Sequence, residues 1–88
     1  MALNAKERLL ELDAERRLLK KADVDIEEGR SRVRDQQDRV MSLRTAGLGG
    51  LGEAEHLLQV MIQTLVEWER HRTLIVQRIA FLEKQPLA

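Results

Sequence analysis

The stretch Gly47-Leu48-Gly49-Gly50-Leu51-Gly52 lies near the middle of an 88-residue chain and holds four of its five glycines. Glycine loses more backbone freedom than any other residue when fixed in a helix, so a cluster this dense interrupts one. Gly47 fits the left-handed position just past a helix end, with Leu48 folding back on Leu43. Gly52 then opens a second helix, whose first turn carries Glu53 and Glu55 where the positive end of the dipole favours acidic groups. A phosphate-cradling glycine loop needs a strand before it and Lys-Ser or Lys-Thr after it, and neither flanks this segment. The segment reads as the turn of a hairpin.

Upstream, Asn4 with Glu7 three residues later makes a capping-box-like helix start. Leu12, Leu19, Ile26, Val33 and Val40 then recur every seven residues, the seam of one helix packing on another. Their companions Glu15, Ala22, Gly29, Gln36 and Leu43 form a thinner, partly polar set. Downstream, Leu51, Leu58, Leu65, Arg72 and Ile79 form one seven-spaced series, and Ala54, Met61, Trp68, Ile75 and Leu82 form the other. Ile62, Val66, Val76 and Phe81 widen this apolar surface beyond what one narrow helix covers. Pro86 forbids further helix. The fold predicted is all-α, an antiparallel two-helix hairpin with helix one over about 4–46, the turn over 47–52 and helix two over about 53–84.

Folding the chain at its glycines pairs positions whose numbers sum to roughly 97 by antiparallel helix geometry. Val40 then meets Leu57, Val33 meets Leu65, Gly29 meets Trp68, Ala22 meets Ile75 and Leu19 meets Ile79. A mid-helix glycine costs about 1 kcal/mol against alanine, and the tryptophan opposite accounts for it by needing the space. This register leaves Leu3, Leu9, Leu10 and Leu12 without a partner in the same chain. Two helices bury little on their own, so these leucines and the broad face of helix two predict a homodimeric four-helix bundle.

The composition supports this reading. Charged residues make up 34% and aromatic ones 2%, the balance of long surface-rich helices. Fifteen basic groups offset fifteen acidic ones, with 11 and 10 in residues 1–46 and 4 and 5 in residues 47–88. Neither half is polarised enough to release many counterions from a phosphate backbone, which makes a nucleic-acid partner an unfavoured expectation. The absence of cysteine excludes disulfides, iron–sulfur clusters and thiolate zinc sites. No basic region followed by an apolar core opens the chain, and no apolar stretch approaches the ~20 residues of a membrane span. The expectation is a cytoplasmic protein without a cofactor.

The pattern Ile26-x-Glu28-Gly29-x-x-Arg32-Val33-x-x-Gln36, with Leu43, Gly47, Ala54-x-x-Leu57-Leu58, Thr64-Leu65 and His71-Arg72-x-x-Ile75, resembles a family of small alphaproteobacterial helical-hairpin proteins. The likeness spans roughly residues 24–79 and departs at the hinge, where relatives have a shorter glycine-containing turn. It implies a hairpin fold and a cytoplasmic origin, and it adds nothing on mechanism.

Three constellations carry possible chemistry. Glu53-x-x-His56 has the spacing of carboxylate-bridged di-iron sites in bundles, but both residues point away from the Leu58/Met61 seam, so a solvated helix start is expected. Arg72 takes a seam position beside His71, near Asp25, Glu27 and Glu28, and is read as an ion pair that fixes register, or else as a partner contact. Arg30, Arg32, Arg34 and Arg39 form a basic patch on helix one, diluted by Asp35 and Asp38 and lacking an aromatic for base stacking. No pocket is in prospect for a catalytic His71. The function expected is therefore non-enzymatic protein interaction or scaffolding through bundle association, with RNA binding through Arg30 and Arg34 as the alternative. The residues expected to carry the association are Leu9, Leu12, Leu19, Ile26, Gly29, Val33, Val40, Leu58, Met61, Leu65, Trp68, His71, Arg72, Ile75, Ile79 and Leu82.

Overall fold

The computed structural model describes residues 3–47 and 49–85. Two α-helices, α1 over Ala5–Ala46 (42 residues) and α2 over Leu51–Glu83 (33 residues), lie antiparallel as a rod with extents of 66 × 18 × 13 Å. At the start of α1 the Asn4 side chain accepts from the Glu7 backbone N–H at 2.8 Å, the first half of a capping box, while the Glu7 carboxylate accepts from the Asn4 side-chain amide at 2.6 Å and not from its backbone N–H. At its end Gly47 takes the left-handed conformation, φ 65°, which a residue with a Cβ rarely adopts.

The turn is shorter than the glycine cluster. Gly50, at φ 91°, is the residue that precedes α2, and the helix begins at Leu51, so Gly52 lies inside the first turn. The Ala54 N–H already donates to the Gly50 carbonyl at 3.0 Å. Glu55 does not serve the helix start; it pairs across the hinge with Arg44 at 3.0 Å. Leu48 and Pro86, expected to close on Leu43 and to stop α2, lie outside the described residues.

The seam holds. Leu12, Ile26, Val33, Val40, Ala54, Ile75, Ile79 and Leu82 are buried, while Leu19, Leu58, Met61 and Leu65 are half-buried. Two points of the register differ from expectation. Leu12 is not an overhang: it closes a cluster with Ile75, Ile79 and Leu82 at the open end of the hairpin, and Leu3 packs against that cluster. Leu9 and Leu10, by contrast, are exposed and take no part in the seam. Near the hinge Leu57 is about half exposed, because the groove beside Val40 is lined from α2 by Leu58.

Gln36 is the one buried polar side chain among the described residues. Its Nε2 donates to the Ala54 carbonyl at 3.0 Å, a bond from one helix to the backbone of the other. Truncation leaves a space and loses that bond, so Gln36→Ala should cost about 1–2 kcal/mol in a urea melt. Gln36→Leu restores the volume without the polar group and should stay within about 1 kcal/mol of the parent. Equal losses from both changes would mean the hydrogen bond itself dominates.

Candidate interaction surface

The two long edges of the rod, where the helices part on either side of the seam, differ in chemistry. Along one edge α1 presents Arg16, Asp23, Arg30 and Arg44, which recur at multiples of seven, and α2 presents Glu55, Glu69 and Glu83, spaced by fourteen. Antiparallel packing brings them together: Arg16 meets Glu83 at 3.4 Å, Arg30 meets Glu69 at 3.8 Å, Arg44 meets Glu55 at 3.0 Å, and Arg72 donates from Nε to Asp23. Exposed pairs of this kind contribute little each, about 0–1 kcal/mol; they set charge of both signs along the edge, with half-buried Ile62 and exposed Val76 at the positions between the glutamates.

The opposite edge is open. Here α1 presents Glu11, Leu18, Asp25, Arg32 and Arg39, and α2 presents Leu57, Thr64, His71 and Arg78, with Val60, Leu74 and Phe81 one turn outward. Among the described residues a single interhelix ion pair spans it, Arg78 to Glu11 at 2.6 Å. The Arg78 guanidinium also lies 5.4 Å from the centre of the Phe81 ring, a cation–π contact that orients both side chains. Leu18, Leu57, Val60, Trp68, Leu74 and Phe81 are all exposed on this side, Leu74 by 58% and Phe81 by 53%.

Midway along the open edge lies a shallow apolar groove of about 100 Å³, lined by Gly29, Arg32, Val60, Met61, Thr64, Leu65 and Trp68. Its floor is the expected pairing of Gly29 with Trp68. A Cβ built at Gly29 would stand 3.2 Å from Trp68 Cζ3 and 3.3 Å from Leu65 Cδ1, tighter than ordinary van der Waals contact. The indole therefore uses the space that the missing side chain leaves, while the residue as a whole remains 36% exposed. Trp68 is thus both a wall of the core and part of the surface.

The charged candidates resolve differently from one another. Arg72 makes an interhelix ion pair, but with Asp23 and not with the expected group. Of that group Asp25 pairs with Lys21 at 2.9 Å, and Glu27 stands 3.8 Å from Arg30 and 3.9 Å from Arg34. His71 is exposed on the open edge, beside Arg72 in sequence but apart from its ion pair. Glu53 and His56 are both exposed, and among the described residues no three His, Asp or Glu side chains converge in a way that could hold a metal ion. Among the described residues no helix is long and apolar enough to cross a membrane.

Sequence reasoning missed the division into two edges. The signal was present: charges at multiples of seven on α1 and of fourteen on α2 mark one flank of the seam, and the apolar residues at 57, 60, 74 and 81 mark the other. No family model, curated protein or solved structure matches the chain, so the resemblance to the alphaproteobacterial hairpin proteins stands as an expectation.

Proposed function

We propose that the chain is a non-enzymatic association module that holds helices of another chain on its open edge. The observation that carries this reading is the asymmetry of the edges: four interhelix ion pairs bridge one, where α2 exposes Val66 and Val76, and one bridges the other, where α2 leaves Leu57, Val60, Trp68, Leu74 and Phe81 in water along a single flank. Isolated exposed apolar residues are ordinary, but a stripe of them along one helix face is the form that helix-to-helix recognition takes. The lack of cysteine and the balanced charge accord with a reducing cytoplasm, to which we assign it. The RNA alternative is less well supported, because Glu27 and Glu69 stand beside Arg30 and Arg34 and offset their charge.

The test uses the whole chain as bait in three forms: unaltered, Val60→Glu/Leu74→Glu on the open edge, and Val66→Glu elsewhere on the surface of α2. Circular dichroism should show the same helicity in all three, since the altered side chains are exposed. The unaltered chain and Val66→Glu should retain the same helical protein, identified by mass spectrometry, or a second copy; the open-edge variant should lose it. Identical behaviour of all three forms would overturn the reading. So would structured RNA held at submicromolar affinity at about 150 mM salt and released when Arg30 and Arg34 are replaced.

A further inference from the structure

We infer that the open edge takes a second copy of this chain, laid antiparallel, so that α2 packs on the partner's α2 about a two-fold axis close to Trp68. The inference rests on the association reading above and names its partner.

Area comes first. The chain exposes 6714 Å². A compact monomer of the same mass exposes ~5,300 Å². The excess, roughly 1,400 Å², is more than the ~800 Å² that each partner buries in a standard stable interface. Eight apolar residues are buried against twelve large ones left exposed among the described residues, so the hairpin is short of core by its own count.

Symmetry and chemistry then choose the orientation. A two-fold interface sets one surface against itself, so the surface must be self-complementary. Two copies can meet through this edge in two ways. With hinges at the same end, α2 lies on the partner's α1, whose edge positions Glu11, Asp25, Arg32 and Arg39 are charged and only Leu18 is apolar. The apolar side chains of α2 would then cover charges, at a desolvation cost. With hinges at opposite ends, α2 lies on α2 and α1 on α1. Five of the six exposed large apolar groups of this edge are on α2, so this arrangement lays the apolar flank of one copy along that of the other.

The spacing fits the second arrangement. Leu57 and Phe81 each stand about twelve residues from Glu69, which is about 18 Å of helix on either side. An axis at that level sets Leu57 against the partner's Phe81 and Thr64 against the partner's Leu74. On α1 the same axis passes between Glu28 and Gly29 and sets Asp25 against the partner's Arg32, opposite charges at mirrored positions. The groove over Gly29, with the exposed face of Trp68, falls at the centre of the interface, where the partner's indole covers it.

The chain has no cysteine, so introduced ones report without interference. Light scattering in the micromolar range should give about twice the 10.2 kDa chain mass. Mild oxidation should join His71→Cys to itself near the axis. A mixture of Leu57→Cys and Phe81→Cys should yield a cross-linked pair, while neither cross-links alone, because copies of one such site lie about 36 Å apart. A dimer in which the mixed pair fails to cross-link would overturn the inference, and the association reading would then stand only where Val60→Glu/Leu74→Glu breaks that dimer. A monomer that captures another helical protein through the open edge would do the same. A monomer that captures nothing would overturn both.

Discussion

Leu82→Ala should destabilise the hairpin by about 3 kcal/mol, within the 2–5 kcal/mol span of buried leucine truncations. Leu82 is the one fully buried side chain of the molecule's described part, at 0% exposure, and it closes the open-end cluster with Leu12, Ile75 and Ile79. A hairpin with so few buried apolar residues cannot redistribute that loss, and one or two kcal/mol is already a large part of the stability of a small domain. For a chain of this length each kcal/mol lowers the melting temperature by about 4–8 °C, so the variant should melt at least ten degrees early, by roughly the same scaling. Leu9→Ala, at an exposed site a few residues from the same cluster, should change stability by less than about 0.5 kcal/mol. A melt of Leu82→Ala that overlays the parent would mean that the open end is frayed and that the cluster contributes nothing.

The second large effect belongs to Gly29. Replacing it with leucine should destabilise by about 1–3 kcal/mol, the usual cost of forcing added carbons into a filled site. The first added carbon already meets Trp68 at 3.2 Å and Leu65 at 3.3 Å, so the indole must shift before the rest of the side chain can be placed. Alanine is the informative comparison. It gains about 1 kcal/mol of helix propensity, and the clash it causes is relieved by a few tenths of an ångström. Trp68 can give that much, because part of its surface faces solvent and is not locked by packing. Gly29→Ala should therefore melt within about 1 kcal/mol of the parent, with the two terms nearly offsetting. Both variants should shift the Trp68 fluorescence emission, since both displace the ring. Higher melting temperatures for both, with unchanged emission, would mean that position 29 faces open space and that the interhelix register is wrong.

The hairpin and its central register were legible because they follow from two simple signals, a seven-residue apolar period and one glycine cluster. Summing positions across the hinge found Gly29 opposite Trp68 without any coordinates. The register itself is constant, since Arg44 meets Glu55, Arg30 meets Glu69 and Arg16 meets Glu83; what failed was the overhang, because side chains lean along the helix and Leu12 joins Ile75, Ile79 and Leu82 rather than standing past the end of α2. The start of α2 was misjudged because glycine favours turns without forbidding a first helical turn, and Gly52 lies in one. The choice of Asp23 over Asp25 as the partner of Arg72 depends on which flank of α1 each acid occupies, and proximity in sequence does not carry that information. The surface was harder still. Reading the wide apolar face of α2 as one feature hid the fact that ion pairs close one flank and leave the other open.

The arrangement of the core also bears on how the chain folds. Arg44 and Glu55, beside the hinge, are 11 residues apart, whereas Arg16 and Glu83, at the open end, are 67 apart. Closing the outer loop directly costs roughly 1.6 kcal/mol more chain entropy than closing the inner one. Pairing that begins at the glycines and advances outward avoids that cost, since each step extends a loop already shut. Yet the most completely buried cluster lies at the far end, where such a zipper arrives last. The final step is then the one that releases the most free energy, and it latches the two helices against reopening from their free ends. In kinetic terms, truncating Leu82 should show in the unfolding limb of a chevron plot and leave the folding limb nearly unchanged.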